Sequence, residues 1–215
     1  MTRRCVVIGA GGHAKVVIDT LIAQGRFVPV AATDPSVKKA RVLGVPVVGG
    51  DEMLPGLKRR GVKFFIVGIG GVPDCRPRAL VFESTLRAGW LPVPAVVHPS
   101  AVIAAGVVLG PGTLVAAQAV IQPDAAVGAN VIVNTAAVVE HDCVVGDHVH
   151  VAPGARVSGG VRIGAAAFIG AGAVVREGVS IGARAVIGAG AVVLEDVAAG
   201  RTAVGVPARI LRRKP

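Results

Sequence analysis

The chain has 215 residues, enough for two small domains, and carries a formal charge of +10. A basic balance attracts phosphate, but with 3% aromatics and no Tyr there is little for bases to stack on, so small phosphorylated ligands are expected rather than nucleic acid. Cys5, Cys75 and Cys143 are too few and too scattered to form a disulfide framework.

Met1-Thr2-Arg3-Arg4 leads straight into Cys5–Ile8, which reads as a buried strand with no signal peptide before it; a cytoplasmic protein is expected. Gly9-Ala10-Gly11-Gly12-His13 is a tight turn, and Ala14–Gln24 reads as a helix with Val16, Val17, Leu21 and Ile22 on its apolar side, ended by Gly25. Phe27–Ala32 is a second strand closing on Thr33-Asp34-Pro35. Short strands around Val42–Val48 follow, then a helix near Glu52–Arg59 and a strand at Lys63–Val67 that runs into Gly68-Ile69-Gly70-Gly71. A helix over about Arg76–Ala88 comes next, and Pro92 and Pro94 mark a linker. This alternation predicts a small parallel sheet, an α/β domain over residues 1–96.

The Gly9-x-Gly11-x-x-Ala14 turn stands between strand and helix, the context in which a helix N-terminus takes phosphate. Asp34 ends the next strand, where an acidic residue can hold a ribose or base. A full dinucleotide fold needs two mononucleotide halves, and there is room for about one, so a nucleotide or nucleotide-linked ligand fits better than NAD.

From Val97 to Val193 the grammar changes. Every sixth residue is aliphatic, seventeen in succession without an insertion. A period of six matches neither a helix nor an alternating strand; it is the signature of a parallel β-helix, one short strand and one corner per hexad. With the aliphatic residue as position one, position five is small or β-branched throughout (Ala101, Thr113, Ala119, Cys143, Ala155), as a narrow interior requires. Position two is often Gly, as at Gly110, Gly128, Gly146 and Gly164, where unusual corner dihedrals are expected, and position three takes Pro99, Pro111, Pro123 and Pro153. Three hexads close an 18-residue triangular coil, so residues 97–204 predict about six coils, with a basic tail at 205–215 holding Arg209, Arg212, Arg213 and Lys214. The apolar stretch 99–123 is not read as a membrane span, because three prolines and the hexad register run through it.

Position six points outward, yet one row holds Val102, Val120, Val138, Val174 and Val192, and another Leu114, Ile132, Phe168 and Val186. Two apolar outer faces need covering, which predicts a homotrimer of parallel prisms; the alternative cover is the N-terminal domain.

Val7-Ile8-Gly9-Ala10-Gly11-Gly12-His13-Ala14-Lys15-Val16-Val17 resembles the opening of the nucleotide-sugar acetyltransferases of the bacillosamine and sialic acid type. Asn134-Thr135-Ala136-Ala137-Val138-Val139-Glu140-His141-Asp142-Cys143-Val144-Val145-Gly146 is similar to that family's catalytic coil, and Gly205-Val206-Pro207-Ala208-Arg209 to the closing motif of hexapeptide acyltransferases. The resemblance spans almost the whole chain. It implies a left-handed β-helix, a trimer, acetyl-CoA as co-substrate with no metal, and as acceptor the 4-amino group of a nucleotide-linked amino sugar. GDP-perosamine is the favoured acceptor, with a UDP-linked 4-amino sugar or a sugar hydroxyl as alternatives; Pro35, where uridine-nucleotide members carry a second acidic residue, suits guanine.

The resemblance makes His141 the general base. It occupies a corner position between Glu140 and Asp142, either of which can fix its tautomer, and the family pattern favours Asp142. Gly159 lies one coil further on, and its N–H is expected to serve as the oxyanion donor. Carried over in the same way, Gly11, Gly12 and His13 surround the diphosphate, Asp34 meets the base or ribose, and Gly68, Ile69 and Gly70 line the same pocket, with Glu140 near the acceptor. CoA is expected along Gly170, Ala171 and Gly188, its phosphates near Arg209. His150, outward on an apolar row and half a coil from His141, is expected to support the acyl-donor site across a subunit boundary or to pack in that interface. His141, His148 and His150 also resemble the histidines of a β-helical carbonic anhydrase with zinc between subunits, but such an enzyme has no use for a phosphate turn.

Overall fold

A computed structural model describes residues 3–36 and 40–211. Lys38, Lys39 and the tail residues Arg212, Arg213 and Lys214 lie outside the described residues.

The N-terminal domain is a four-stranded parallel sheet in the order β2-β1-β5-β6. Its elements are β1 (Arg3–Ile8), α1 (Gly12–Gln24), β2 (Phe27–Thr33), a small hairpin of β3 (Arg41–Val42) and β4 (Val45–Pro46), α2 (Leu54–Arg59), β5 (Phe64–Val67), α3 (Arg76–Arg87) and β6 (Leu91–Pro92). The central strand β1 is buried from Cys5 to Ile8, as its unbroken apolar run requires. Gly25, in the left-handed region at φ 71°, ends α1 and returns its N–H to the Leu21 carbonyl. The stretch read as a linker belongs instead to the sheet: Leu91 and Pro92 pair with Phe64 and Phe65. Pro92 is tolerated there because β6 is an edge strand, while Leu91 and Val93 donate inward to Lys63 and Phe65.

From Val96 onward the chain winds a left-handed β-helix of about six turns. The ladders join residues 18 apart, as Val138 to Arg156 or Val144 to Arg162, until the last coil, where Val186 pairs with Thr202 and Ile181 with Val197, 16 apart. The first face carries Val96–Val97, Leu114–Val115, Ile132–Val133, His150–Val151, Phe168–Ile169, Val186–Ile187 and Thr202–Val204, closed by an antiparallel Arg209–Ile210. The second carries Val102–Ile103 through Val192–Val193, and the third Val108–Leu109 through Ser180–Ile181. Position one and position five together form one continuous apolar column, in which Val115, Ala119, Ile121, Ala137, Val139 and Cys143 are wholly buried.

The glycines at position two have a different cause from the one expected. None of Gly110, Gly128, Gly146 or Gly164 lies in the left-handed region; that conformation falls at position four, at Gly112, Asp124, Asn130, Asp142, His148, Gly154 and Arg184. Position-two glycines are needed because the next coil passes too close: a Cβ on Gly110 would sit 2.4 Å from the Gly128 carbonyl carbon, and one on Gly164 2.4 Å from the Ala183 nitrogen.

The two apolar outer rows have different fates. On the first face Leu114 and Ile132 are buried with Val17, Ile18 and Leu21 of α1, and Phe168 with Cys75, so this row is covered by the chain's own N-terminal domain. Burying side chains of this size contributes roughly 1.5–3 kcal/mol each. On the second face Val102 remains 56% and Val174 36% exposed.

Candidate active site

His141 projects from the corner between the second and third faces. The neighbouring Asp142 stands in the left-handed region at φ 59°, a conformation that Asp adopts more readily than most residues. Its carboxylate Oδ2 takes the Nδ1 hydrogen of His141 at 2.8 Å. Asp142 rather than Glu140 therefore fixes the tautomer, leaving the Nε2 lone pair free to accept a proton. This hydrogen bond is the main cause that raises the His141 pKa; desolvation opposes it, and the charges of Asp142 and Glu140 add smaller upward contributions. The ring is 62% exposed and lies across Gly159 in the next coil, where a Cβ would stand 2.6 Å from both Cε1 and Nε2. Among the described residues the Gly159 N–H donates to no protein acceptor, while Gly160 donates to the His141 carbonyl at 2.8 Å. Cys143 points into the prism, donates to the Ser158 carbonyl and has its pKa raised by burial, so it is no nucleophile.

The glycine turn lies on the opposite side. Gly9, at φ 105°, packs under Ile69, whose Cγ1 would be 2.8 Å from a Cβ there. Asp34 Oδ2 accepts the Ala10 N–H at 2.9 Å and Oδ1 accepts both the N–H and the hydroxyl of Ser36, so this carboxylate braces the turn. Gly11 caps α1 with no side chain over the helix end, and Gly11 and Gly12 are exposed with open space around them, which leaves first-turn N–H groups available to an anion. Ile69 and Gly70 stand half-exposed beside the turn. Gly68 is behind them, a buried spacer between Val7 and Ala14 rather than a lining residue.

The His13 side chain turns inward, away from the place expected of a diphosphate ligand. Its Nε2 is sealed from solvent without a partner, its ring centroid is 6.3 Å from that of His150, and burial above all, with the charges of His150 and Arg78, lowers its pKa to about 4. His150 also departs from expectation. It is 3% exposed beneath its own N-terminal domain, packed edge-on against Phe168 and bonded through Nδ1 to the Gly71 carbonyl, so it faces neither a donor groove nor another subunit. His148 Nε2 stands 3.3 Å from a Glu83 carboxylate oxygen, and burial lowers the pKa of its ring. His141, His148 and His150 thus have separate surroundings, and among the described residues no group of three or more His, Cys, Asp or Glu is placed to hold a metal ion.

Gly170 and Gly188 are again stacking glycines, pressed on Ala189 and Val204; Ala171 between them is exposed at the corner of the first and second faces. Arg209 is exposed on the closing strand, its guanidinium on the Ala208 carbonyl. Sequence reasoning missed Arg78. This fully buried arginine of α3 donates across the domain boundary to the carbonyls of Asn130, His148 and Val149. The signal was its place on the buried stripe of α3 with Phe82 and Thr85, where an arginine needs polar partners.

A prism with a histidine–carboxylate pair on one corner and a phosphate-turn domain on the opposite face defines a β-helix acyltransferase with a nucleotide-type domain attached. The family described as the PglD N-terminal domain matches residues 4–85, and bacterial transferase hexapeptide (six repeats) matches residues 160–195. Perosamine N-acetyltransferase from Caulobacter crescentus, solved as its H141N variant with CoA and GDP-perosamine, is 42% identical over 97% of each chain with a TM-score of 0.91. The acetyltransferase domain of PglB from Neisseria gonorrhoeae FA1090, solved also with acetyl coenzyme A, is 36% identical over 98% of this chain and 100% of that one, TM-score 0.90. WeeI from Acinetobacter baumannii AYE is 30% identical over 98% and 100%, TM-score 0.83. No curated protein matches the chain. The chain belongs to the family of CoA-dependent hexapeptide-repeat sugar N-acetyltransferases that carry a PglD-type N-terminal domain.

Proposed function

We propose that this enzyme moves the acetyl group of acetyl-CoA to the 4-amino group of GDP-perosamine. The observation that carries the chemistry is the exposed His141–Asp142 pair lying over Gly159; the substrate follows the Caulobacter relative solved with CoA and GDP-perosamine. The neutral sugar amine attacks the thioester carbon, His141 Nε2 takes the amine proton, the Gly159 N–H receives the developing oxyanion, and the C–S bond breaks to release CoA thiolate. Work divides among residues 1–96, which hold the nucleotide through Gly11, Gly12, Ile69, Gly70 and the turn braced by Asp34; 97–204, which carry His141 and the donor groove along Gly170, Ala171 and Gly188; and 205–215, where Arg209 meets CoA phosphate. Glu140 flanks the acceptor amine.

The corner bearing His141 lies opposite the face that the N-terminal domain covers. The nucleotide held by one copy therefore meets the His141 of another, and the exposed valines of the second face supply the contact of a homotrimer. Among the described residues no helix is long and apolar enough to cross a membrane. Three free, buried cysteines fit a cytoplasmic setting.

The test is thiol release from acetyl-CoA with GDP-perosamine and, in parallel, a UDP-linked 4-amino sugar, for wild type and His141→Asn. Release with the GDP sugar, cut by about 10²–10⁴-fold in the variant, supports the reading. Release with the UDP sugar alone replaces the nucleotide, and release with neither moves the acceptor to a hydroxyl.

A further inference from the structure

His150 stands in a row between Ile132 and Phe168, and the outward residues on either side of it, from Val96, Leu114 and Ile132 to Phe168 and Val186, are aliphatic or aromatic hydrocarbon. Any such side chain would pack against Phe168 and the N-terminal domain without a polar atom to satisfy. The imidazole instead makes two directed contacts. A carbonyl only accepts, so the 2.8 Å contact to the Gly71 oxygen places the proton on Nδ1. The Nε2 lone pair then accepts an amide hydrogen from Asn134 at 3.2 Å, and Asn134 Oδ1 accepts the N–H of Thr135 at 2.8 Å. A single tautomer satisfies the whole chain, which runs from the loop after β5 to the corner at Thr135.

That loop is the second wall of the glycine turn. It emerges from the C-terminal end of β5, beside the C-terminal end of β1, where open parallel sheets bind ligands. Three of its four residues from Gly68 to Gly71 are glycine, so its order must come from elsewhere. The Gly68 N–H is held by the Ile8 carbonyl. Among the described residues, the hydrogen bond that ties residues 69–74 to the prism is the one from His150 to Gly71.

We propose that His150 is a positioning residue of the acceptor site: by holding the Gly71 carbonyl in its Nδ1–H tautomer it fixes the 68–71 loop against the prism and sets the affinity for the nucleotide. The proposal rests on the nucleotide-sugar reading above. It replaces a donor-site role for His150 with one confined to the acceptor.

Three variants decide it. His150→Phe keeps a ring beside Phe168 and removes the donor. His150→Asn puts an amide nitrogen where Nδ1 stands, and His150→Gln puts one where Nε2 stands. Binding of GDP and of UDP is measured by calorimetry on the full chain, with KM for the nucleotide sugar and for acetyl-CoA and kcat alongside, and thermal melts to establish folding. The expected result is a loss of nucleotide affinity on the order of tenfold in His150→Phe, the cost of reordering one or two loop residues, with the acetyl-CoA KM and kcat essentially unchanged. His150→Asn restores most of that loss and His150→Gln does not. Equal behaviour of Asn and Gln, unaltered nucleotide affinity in His150→Phe, or parallel rises in both KM values would overturn the proposal. Should His150→Phe not fold, the Asn and Gln pair carries the same decision. A wild type that binds nucleotide without transferring acetyl fails the proposed function and leaves the affinities to judge His150; a wild type that binds neither nucleotide overturns both.

Discussion

Gly159→Ala separates the geometry of the base from the integrity of the fold. The added Cβ would lie 2.6 Å from Cε1 and Nε2 of His141, whereas carbon contacts settle at about 3.5–4.0 Å, so the ring must retreat by about 1 Å. It has room to do so, because His141 is largely solvent-exposed. Gly159 is not in the left-handed region, so alanine introduces no backbone strain and restricts the unfolded chain, a change of about 0.4–1 kcal/mol in favour of the folded state. The backbone N–H remains in place. A protein at least as heat-stable as the wild type is therefore expected, with kcat lower by about 10²-fold, the usual consequence of a 1 Å misplacement at a reacting centre. Thiol-release kinetics and a thermal melt give both numbers. A variant that folds normally and works within about threefold of wild type would refute the placement of His141 as the base.

Asp142→Asn keeps the left-handed corner, which Asn tolerates, but removes the carboxylate whose hydrogen bond raises the His141 pKa. The acid limb of kcat/KM should move to lower pH and the plateau fall by at least about tenfold; an unmoved limb in a pH–rate profile speaks against the pair. Arg78→Met should destabilise by about 2–4 kcal/mol in urea titrations, since the carbonyls of Asn130 and His148 lose their donor at the domain seam; loss below about 0.5 kcal/mol would deny the seam its importance. His13 and His150 are each pushed from 6.5 to about 4, mainly by burial, so both stay neutral in the fold while the unfolded chain takes up protons. Their stabilisation is complete above about pH 6.5 and lost as pH falls toward 4, on the order of 3 kcal/mol per histidine. Urea midpoints that stay flat between pH 7 and pH 4.5 would contradict this.

The hexad register was legible because a prism interior has no slack: one residue of the wrong size at position one or five disturbs three coils. The cause of a glycine was not. A left-handed dihedral and a close approach of the next coil select the same residue, and only the backbone separates Gly110 from Gly112. The row of Leu114, Ile132 and Phe168 announced that something covers it, but hydrophobicity is non-directional and does not say whether the cover is another copy or the chain's own α1. His141 and Asp142 were readable because adjacent residues at a corner share one local geometry. Arg78 and His150 were not, since their partners stand 52–79 residues away and nothing in the periodicity joins them.

The short spacing of the ladders also bears on how the chain finds its fold. Most β proteins fold slowly because their strands pair across long stretches of chain, and loop closure must precede any reward. In the prism a parallel partner strand lies 16 or 18 residues away, about a twelfth of the chain, a separation more typical of helical bundles. Coils can add one upon another from whichever forms first, so the prism is a β structure with the kinetics of a local one. The long separations fall at the seam, where Arg78 of α3 meets the carbonyls of Asn130 and His148, 52 and 70 residues away.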